Sequence, residues 1–316
     1  MREIVRGYAT YCLEEAISSG NLGSVITAGE ALADAVESSP QLQRVFEIPD
    51  VNKRLIKEIV TEIVAKKFPN EAASLLGFLS AAEQQSQVPA VITQLVAEVN
   101  TLVRMTGASL GNQNSSLTAD GFSSLYLGTF QQYTSYRQAR DLMAGYMEPI
   151  FETADSIADL KIVEDFLFSA ANVIRESRDL AKVLGDPYVS GEVKSGIISS
   201  LFVSKVNVLA YRVLRFAVSI PRVRDVAGLI GFCVELSVVE RGKRLAEVRS
   251  VVDMSAEETA QLQNILERLI GRKIEIRFVT DPSLMGGFVV LLGDYLIDAS
   301  LLTKFNQLSE SLLLSA

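Results

Sequence analysis

Apolar residues between Val51 and Lys67 fall at Val51, Leu55, Ile56, Ile59, Val60, Ile63 and Val64, while Lys53, Arg54, Lys57, Glu58, Glu62 and Lys66 fill the positions between. That spacing predicts an amphipathic helix. The same stripe returns at Val193, Ile197, Ile198, Leu201 and Phe202. Ser39 followed by Pro40 reads as an N-cap with proline at the first helical position. Pro49 and Pro187 break the chain before the next helix. Ser86 and Pro89 introduce another, carried by Val91, Ile92, Leu95, Val96 and Val99.

These recurrences are one repeat. Sliding the chain by 138 positions pairs Tyr8 with Tyr146, Ala16 with Ala154, Leu22 with Leu160 and Val25 with Val163. The register continues without a gap through Ser39 and Ser177, Leu42 and Leu180, Pro49 and Pro187, Phe78 and Phe216, Val88 and Val226, and Ile92 and Ile230. Apolar periodicity alone can imitate a repeat, but paired prolines, tyrosines and serines at one offset do not follow from it. The reading is a duplicated domain of about 95 residues, each copy a bundle of about six short helices. Polar faces differ between copies: Lys57-Glu58 becomes Ser195-Gly196. A Gly-, Asn- and Ser-rich stretch from Gly107 to Gly128 reads as a linker.

From Leu245 the pattern changes. Leu245 to Val252 is a predicted strand. Ser255 and Glu258 form a capping box for a helix whose face is Leu262, Ile265, Leu266, Leu269 and Ile270, stopped by Gly271. Ile274, Ile276 and Phe278 alternate with Lys273, Glu275 and Arg277, as in a half-exposed strand. Phe288 to Leu292 and Tyr295 to Ala299 flank Gly293-Asp294, a hairpin signal. Ser300 is positioned to cap a last helix carrying Leu301, Phe305, Leu308 and Leu312. The expected fold is thus mostly α, with two six-helix-bundle-like repeats followed by a small α+β C-terminal domain. The expected domains are 1–105, the first helical copy; 106–140, linker and lead-in helix; 141–244, the second copy; and 245–316, the α+β domain.

Gly271-Arg272-Lys273, Asp281-Pro282-Ser283-Leu284-Met285-Gly286-Gly287, Gly293-Asp294 and Ile297-Asp298-Ala299-Ser300 together resemble the C-terminal signature of the delta subunit of F-type ATP synthases. The mitochondrial counterpart is the oligomycin-sensitivity-conferring protein. The helical copies resemble that family's N-terminal six-helix domain. Two departures stand out: the helical domain is doubled, as in the delta subunits of some high-GC Gram-positive bacteria, and the usual Asp-Gly-Ser reads Asp298-Ala299-Ser300. If that position needs a positive φ, Ala299 is strained there. The resemblance implies a non-catalytic stator, or peripheral-stalk, subunit at the cytoplasmic face of the membrane. Its partners would be the N-terminal helices of the alpha subunits and the C-terminus of the b-type stalk subunit. Family-motif residues with a structural or docking role would be Asp281, Pro282, Gly286, Gly287, Gly293, Asp294, Asp298 and Ser300. A helical adaptor of another assembly is the alternative.

Composition narrows the chemistry. The 316 residues contain no histidine, which removes His-based triads, His metal ligands and imidazole acid–base catalysis. Cys12 and Cys233 have no CxxC spacing, match neither a zinc site nor a disulfide framework, and read as small buried hydrophobes in a reducing compartment. A net charge of −8 disfavours a nucleic-acid surface. Tyr126, Tyr133, Tyr136 and Tyr146 beside Arg137 and Arg140 are read as the first helix of the second copy. No signal peptide is visible, and no apolar run reaches the roughly 20 residues of a spanning helix. Asn114-Ser115-Ser116 is a chance glycosylation pattern in this setting.

Gly286-Gly287 lacks the lysine and spaced glycines of a phosphate loop and reads as a tight hairpin entry. Asp294 and Asp298 are assigned to a turn and a helix start rather than to a carboxylate pair. Arg241-Gly242-Lys243-Arg244 is the one concentrated basic run, a solvated face or interdomain contact, with a binding role as the alternative. No catalytic residue, cofactor, metal site or small-molecule substrate is expected.

Overall fold

The computed structural model describes residues 3–38, 88–106, 135–153, 157–202, 207–252, 254–293, 295–301 and 303. The helix expected from Val51 to Lys67, the Ser39-Pro40 cap, the 107–128 linker, Asp294 and all but the start of the last helix lie outside these residues. Nine helices precede the sheet among the described residues: α1 (Glu3–Ser18), α2 (Leu22–Ser38), α3 (Val88–Thr106), α4 (Tyr136–Thr153), α5 (Ile157–Glu176), α6 (Arg178–Gly185), α7 (Gly191–Phe202), α8 (Val208–Ser219) and α9 (Val226–Glu240). Then come β1 (Arg244–Ser250), α10 (Ala256–Ile270), β2 (Ile274–Thr280), β3 (Phe288–Leu292) and β4 (Tyr295–Asp298). Two compact units, 1–233 and 234–316, divide the chain within α9.

The 138-residue register is visible element by element in the larger unit. Residues of α1, α2 and α3 have their counterparts in α4, α5 and α9, and α3 and α9 begin at the paired Val88 and Val226. Local chemistry fixes the helix ends. Ser135 accepts from the Gln138 backbone N–H at 3.2 Å while the Gln138 side chain accepts from the Ser135 N–H at 2.8 Å, a reciprocal cap on α4. Ser177, the counterpart of Ser39, caps α6 through the Leu180 N–H. Asn207 caps α8 through the Leu209 N–H at 2.8 Å. Pro187 stands between α6 and α7, where it was expected to interrupt the helix.

The core of this unit is dominated by aliphatic residues from α1, α4, α5, α8 and α9, with Tyr8, Tyr146 and Phe216 as its largest buried rings. Tyr146 stacks on Phe216 with ring centroids 3.9 Å apart and meets Tyr11 edge-on at 5.4 Å. Cys12 and Cys233 are buried, and burial pushes the Cys233 thiol well up, so it behaves as an apolar side chain. On α7 the expected stripe is only half right: Ile198 is buried, but Val193 and Leu201 are exposed and Lys194 turns inward.

In the smaller unit the sheet order is β2-β1-β3-β4. β1 pairs parallel to β2 (Arg244 with Ile274, Ser250 with Thr280) and antiparallel to β3, and β3 pairs antiparallel to β4. Parallel neighbours need a crossover, and α10 supplies it. Leu262 and Leu266 of α10 pack with Ala246, Val248, Ile274, Val290 and Leu292, and Ile270 lies against the same cluster. The Ser255–Glu258 capping box and the left-handed Gly271 stop (φ 70°) are formed as expected.

Candidate functional site

The C-terminal signature residues act by holding backbone. Asp281 accepts from the Ser283 hydroxyl at 2.6 Å and its N–H at 3.0 Å, closing the turn that Pro282 begins, while its own N–H donates to the Ser250 carbonyl at the end of β1. Those Ser283 bonds hold its carboxyl below the usual range. Gly286 (φ 149°) and Gly287 (φ 78°) then turn into β3. The Leu301 N–H donates to the Gly286 carbonyl and the Ala299 N–H to the Phe288 carbonyl, both at 2.9 Å. A β-carbon on Gly287 would lie 2.3 Å from the Ala299 carbonyl oxygen, so only glycine lets the two segments meet.

Asp298 completes this corner. It accepts from the Thr303 hydroxyl at 2.7 Å and the Ser300 N–H at 2.8 Å, while the buried Ser300 accepts from the Thr303 N–H. These bonds keep Asp298 ionised below the usual carboxylate range, with Thr303 the largest contributor. Gly286, Gly287, Asp298 and Ser300 therefore come together. Asp281 and Pro282 are tied instead to the end of β1, and Gly293 (φ 57°) opens the β3–β4 turn. Ala299 is not strained: among the described non-glycine residues only Arg222 (φ 63°) has a positive φ.

The basic run is engaged within its own unit. Glu275 of β2 pairs with Arg241 at 2.9 Å, Lys243 at 3.2 Å and Arg277 at 3.3 Å. Burial works to raise the Glu275 pKa, but bonds from Lys243 and Arg241 bring it below the ordinary value. Arg244 is the first residue of β1.

Among the described residues of the α+β unit, apolar side chains are exposed in pairs on α10 and β4. On α10, Ile265 (61% exposed) and Leu269 (66%) point away from the sheet that Leu262 and Leu266 cover, which corrects the single five-residue face expected from spacing. On β4, at an edge of the sheet, Tyr295 (68%) and Leu296 (63%) are also exposed. Exposed apolar side chains of this size mark interaction sites when they gather. Among the described residues no group of acidic or cysteine side chains could hold a metal ion, and no helix is long and apolar enough to cross a membrane.

Sequence reasoning missed a buried charge cluster in the larger unit. Glu14 of α1 is fully buried and accepts from the Tyr146 hydroxyl of α4 at 2.6 Å and from Arg215 of α8 at 3.0 Å, with Arg212 at 3.4 Å. Burial nonetheless raises the Glu14 pKa, outweighing Arg215 and the Tyr146 bond. Arg212 also pairs with Glu15 and lies 4.1 Å over the Tyr11 ring. Glu14 and the half-exposed Glu15 stand side by side in the sequence, and nothing local tells the buried carboxylate from its neighbour.

Comparison with known proteins settles the family. The model described as "ATP synthase delta (OSCP) subunit" matches residues 4–109 and again 143–312. The chain belongs to that family. Among its relatives, the ATP synthase subunit delta of Maricaulis maris is 33% identical over 162 residues, 51% of this chain and 90% of that protein. That of Desulforamulus reducens is 30% identical over 168 residues, 53% of this chain and 93% of its own length. For Frankia alni the figures are 29% over 167 residues, 53% of this chain and 60% of the relative. Delta (OSCP) subunits are non-catalytic structural components of the F-type ATP synthase stator, peripheral to the membrane through the complex, and this chain is one of them.

Proposed function

We propose that this delta subunit ties the catalytic head of the synthase to its peripheral stalk at the cytoplasmic face of the membrane. Its helical copies, residues 1–105 and 141–244, grip the amphipathic N-terminal helices of the alpha subunits, and its α+β domain, residues 245–316, holds the C-terminal end of the b-type stalk. The segment 106–140 connects the copies. Helix-in-groove docking is a mode that helical bundles provide.

The observation that carries the stalk assignment is the outward pair Ile265 and Leu269, one turn apart on a helix whose inner face is already committed to the sheet. Such a stripe suits an amphipathic helix end. Gly286, Gly287, Asp298 and Ser300 contribute by fixing the corner around β3 and β4, and Asp281 by tying the preceding turn to the end of β1. Held at both ends, the subunit resists rotor torque, so that rotation drives synthesis instead of turning the head.

Affinity capture of the tagged chain from gently solubilised membranes tests this. Recovery of alpha, beta and b-type subunits is expected, with crosslinks from alpha N-termini to the helical copies and from the b-type end to α10. Capture of an intact, abundant chain without those subunits would refute the reading.

A further inference from the structure

Helix α1 is buried on nearly every side. Val5, Tyr8, Tyr11, Cys12, Leu13 and Glu14 are all within the interior, too many directions for a helix lying on one bundle. One side turns Leu13 toward Val25, Ile26 and Ile92 of the first copy. The other packs on α4 and bonds to α8, both in the second copy.

The α1–α4 crossing has the form of a two-fold contact. A β-carbon on Gly7 would lie 1.9 Å from the Leu142 carbonyl oxygen, and one on Gly145 would lie 1.8 Å from that of Ile4. Gly7 and Gly145 are counterparts in the 138-residue register, as are Ile4 and Leu142. Each helix thus offers the other the same notch, as the two halves of an isologous interface do. Charge then breaks the symmetry. Glu14 is held by Arg215 and Arg212 of α8, whereas the corresponding positions of the first copy are Gly77 and Ser74.

We propose that α1 is a built-in ligand of the second helical copy. Through the paired glycines and the one-way Glu14–Arg215 bond it holds the two copies as a single rigid brace. This goes beyond the docking reading and does not need any other subunit.

The test is backbone hydrogen exchange of the full-length chain alone, comparing Glu14→Arg, Arg215→Glu and the charge-swapped double variant. Each single change is expected to accelerate exchange in residues 8–13 of α1 and 143–150 of α4 together, on the order of ten-fold or more, with β1 and β2 unaffected. The double variant is expected to exchange more slowly in both helices than either single variant, though faster than the parent because Arg212 still faces position 14. Acceleration in only one helix, no acceleration, or a double variant no better than the singles would overturn the proposal. Should the charge variants fail to fold, Tyr146→Phe removes one donor and keeps the ring. A smaller acceleration shared by α1 and α4 is then the supporting result, and one confined to α4 the refuting one.

Discussion

At the scale of single residues, the buried carboxylate and the tight turns carry the sharpest expectations. Tyr146→Phe leaves the stack on Phe216 but takes a donor from Glu14, which then has less to offset its burial. A loss of about 1–3 kcal/mol is expected in denaturant unfolding. Gly287→Ala should cost more than about 1 kcal/mol, because a β-carbon meets the Ala299 carbonyl at a positive φ. Ala299→Gly should also destabilise, by about 0.5–1 kcal/mol, because Ala299 adopts no left-handed backbone and glycine only loosens the unfolded chain. Paired melting curves of the two variants check both signs. The signature was legible in sequence because an aspartate accepting bonds two residues on, or a glycine entering a strand, is local chemistry. Glu14 was not. Its arginines lie about two hundred positions away, and only the fold places them.

At the scale of elements, spacing located α10 and the four strands to within a few residues, because capping box, glycine stop and alternation agree there. It misjudged which side of a helix is covered. Leu262 and Ile265 are equally apolar, and only the sheet across from one of them decides burial. The same holds on α7, where Lys194 is inside and Val193 outside. Replacing Ile265 and Leu269 by serine should therefore move stability by no more than about 0.5 kcal/mol per site. It should weaken binding of a labelled b-type C-terminal segment on the order of ten-fold or more, read by fluorescence anisotropy.

Acid should act unequally on the two units. In the α+β unit Glu258, Glu267, Glu275, Asp281 and Asp298 all have folded pKa values below their ordinary ones. Their contribution is present above the ordinary carboxylate range and is lost as pH falls through the folded values, where the unfolded chain binds more protons. Glu14 has the opposite sign. Its raised pKa favours the folded state at low pH, and that advantage disappears as pH rises from the ordinary value through the raised one. Exchange protection, corrected for intrinsic rates, should fail in β1 to β3 before α1 and α4 as the solution is acidified below about pH 4.

For the whole molecule, the comparison with shorter relatives is instructive. A protein such as the Desulforamulus reducens subunit delta is covered over 93% of its length by 168 matched residues, about half of this chain. Residues 135–316 alone would nevertheless be a poor imitation. Without α1 they would expose the apolar face of α4 and leave Arg212 and Arg215 without Glu14. Breaking a buried pair by removing one partner costs about 3–5 kcal/mol, a large share of a domain's stability. Gel filtration of that fragment should give aggregates or an expanded species; a compact monomer would contradict the account.

The glycine crossing has a consequence for descent. Duplicated segments ordinarily diverge, since each is free to change while the other keeps the task. Here the space available at position 7 is set by the backbone near position 142, and that at position 145 by the backbone near position 4. Neither half retains a private history. A chain that lost either repeat would leave the other's glycine without the backbone that it makes room for. Drift at one glycine leaves a lesion that no change within its own repeat can mend.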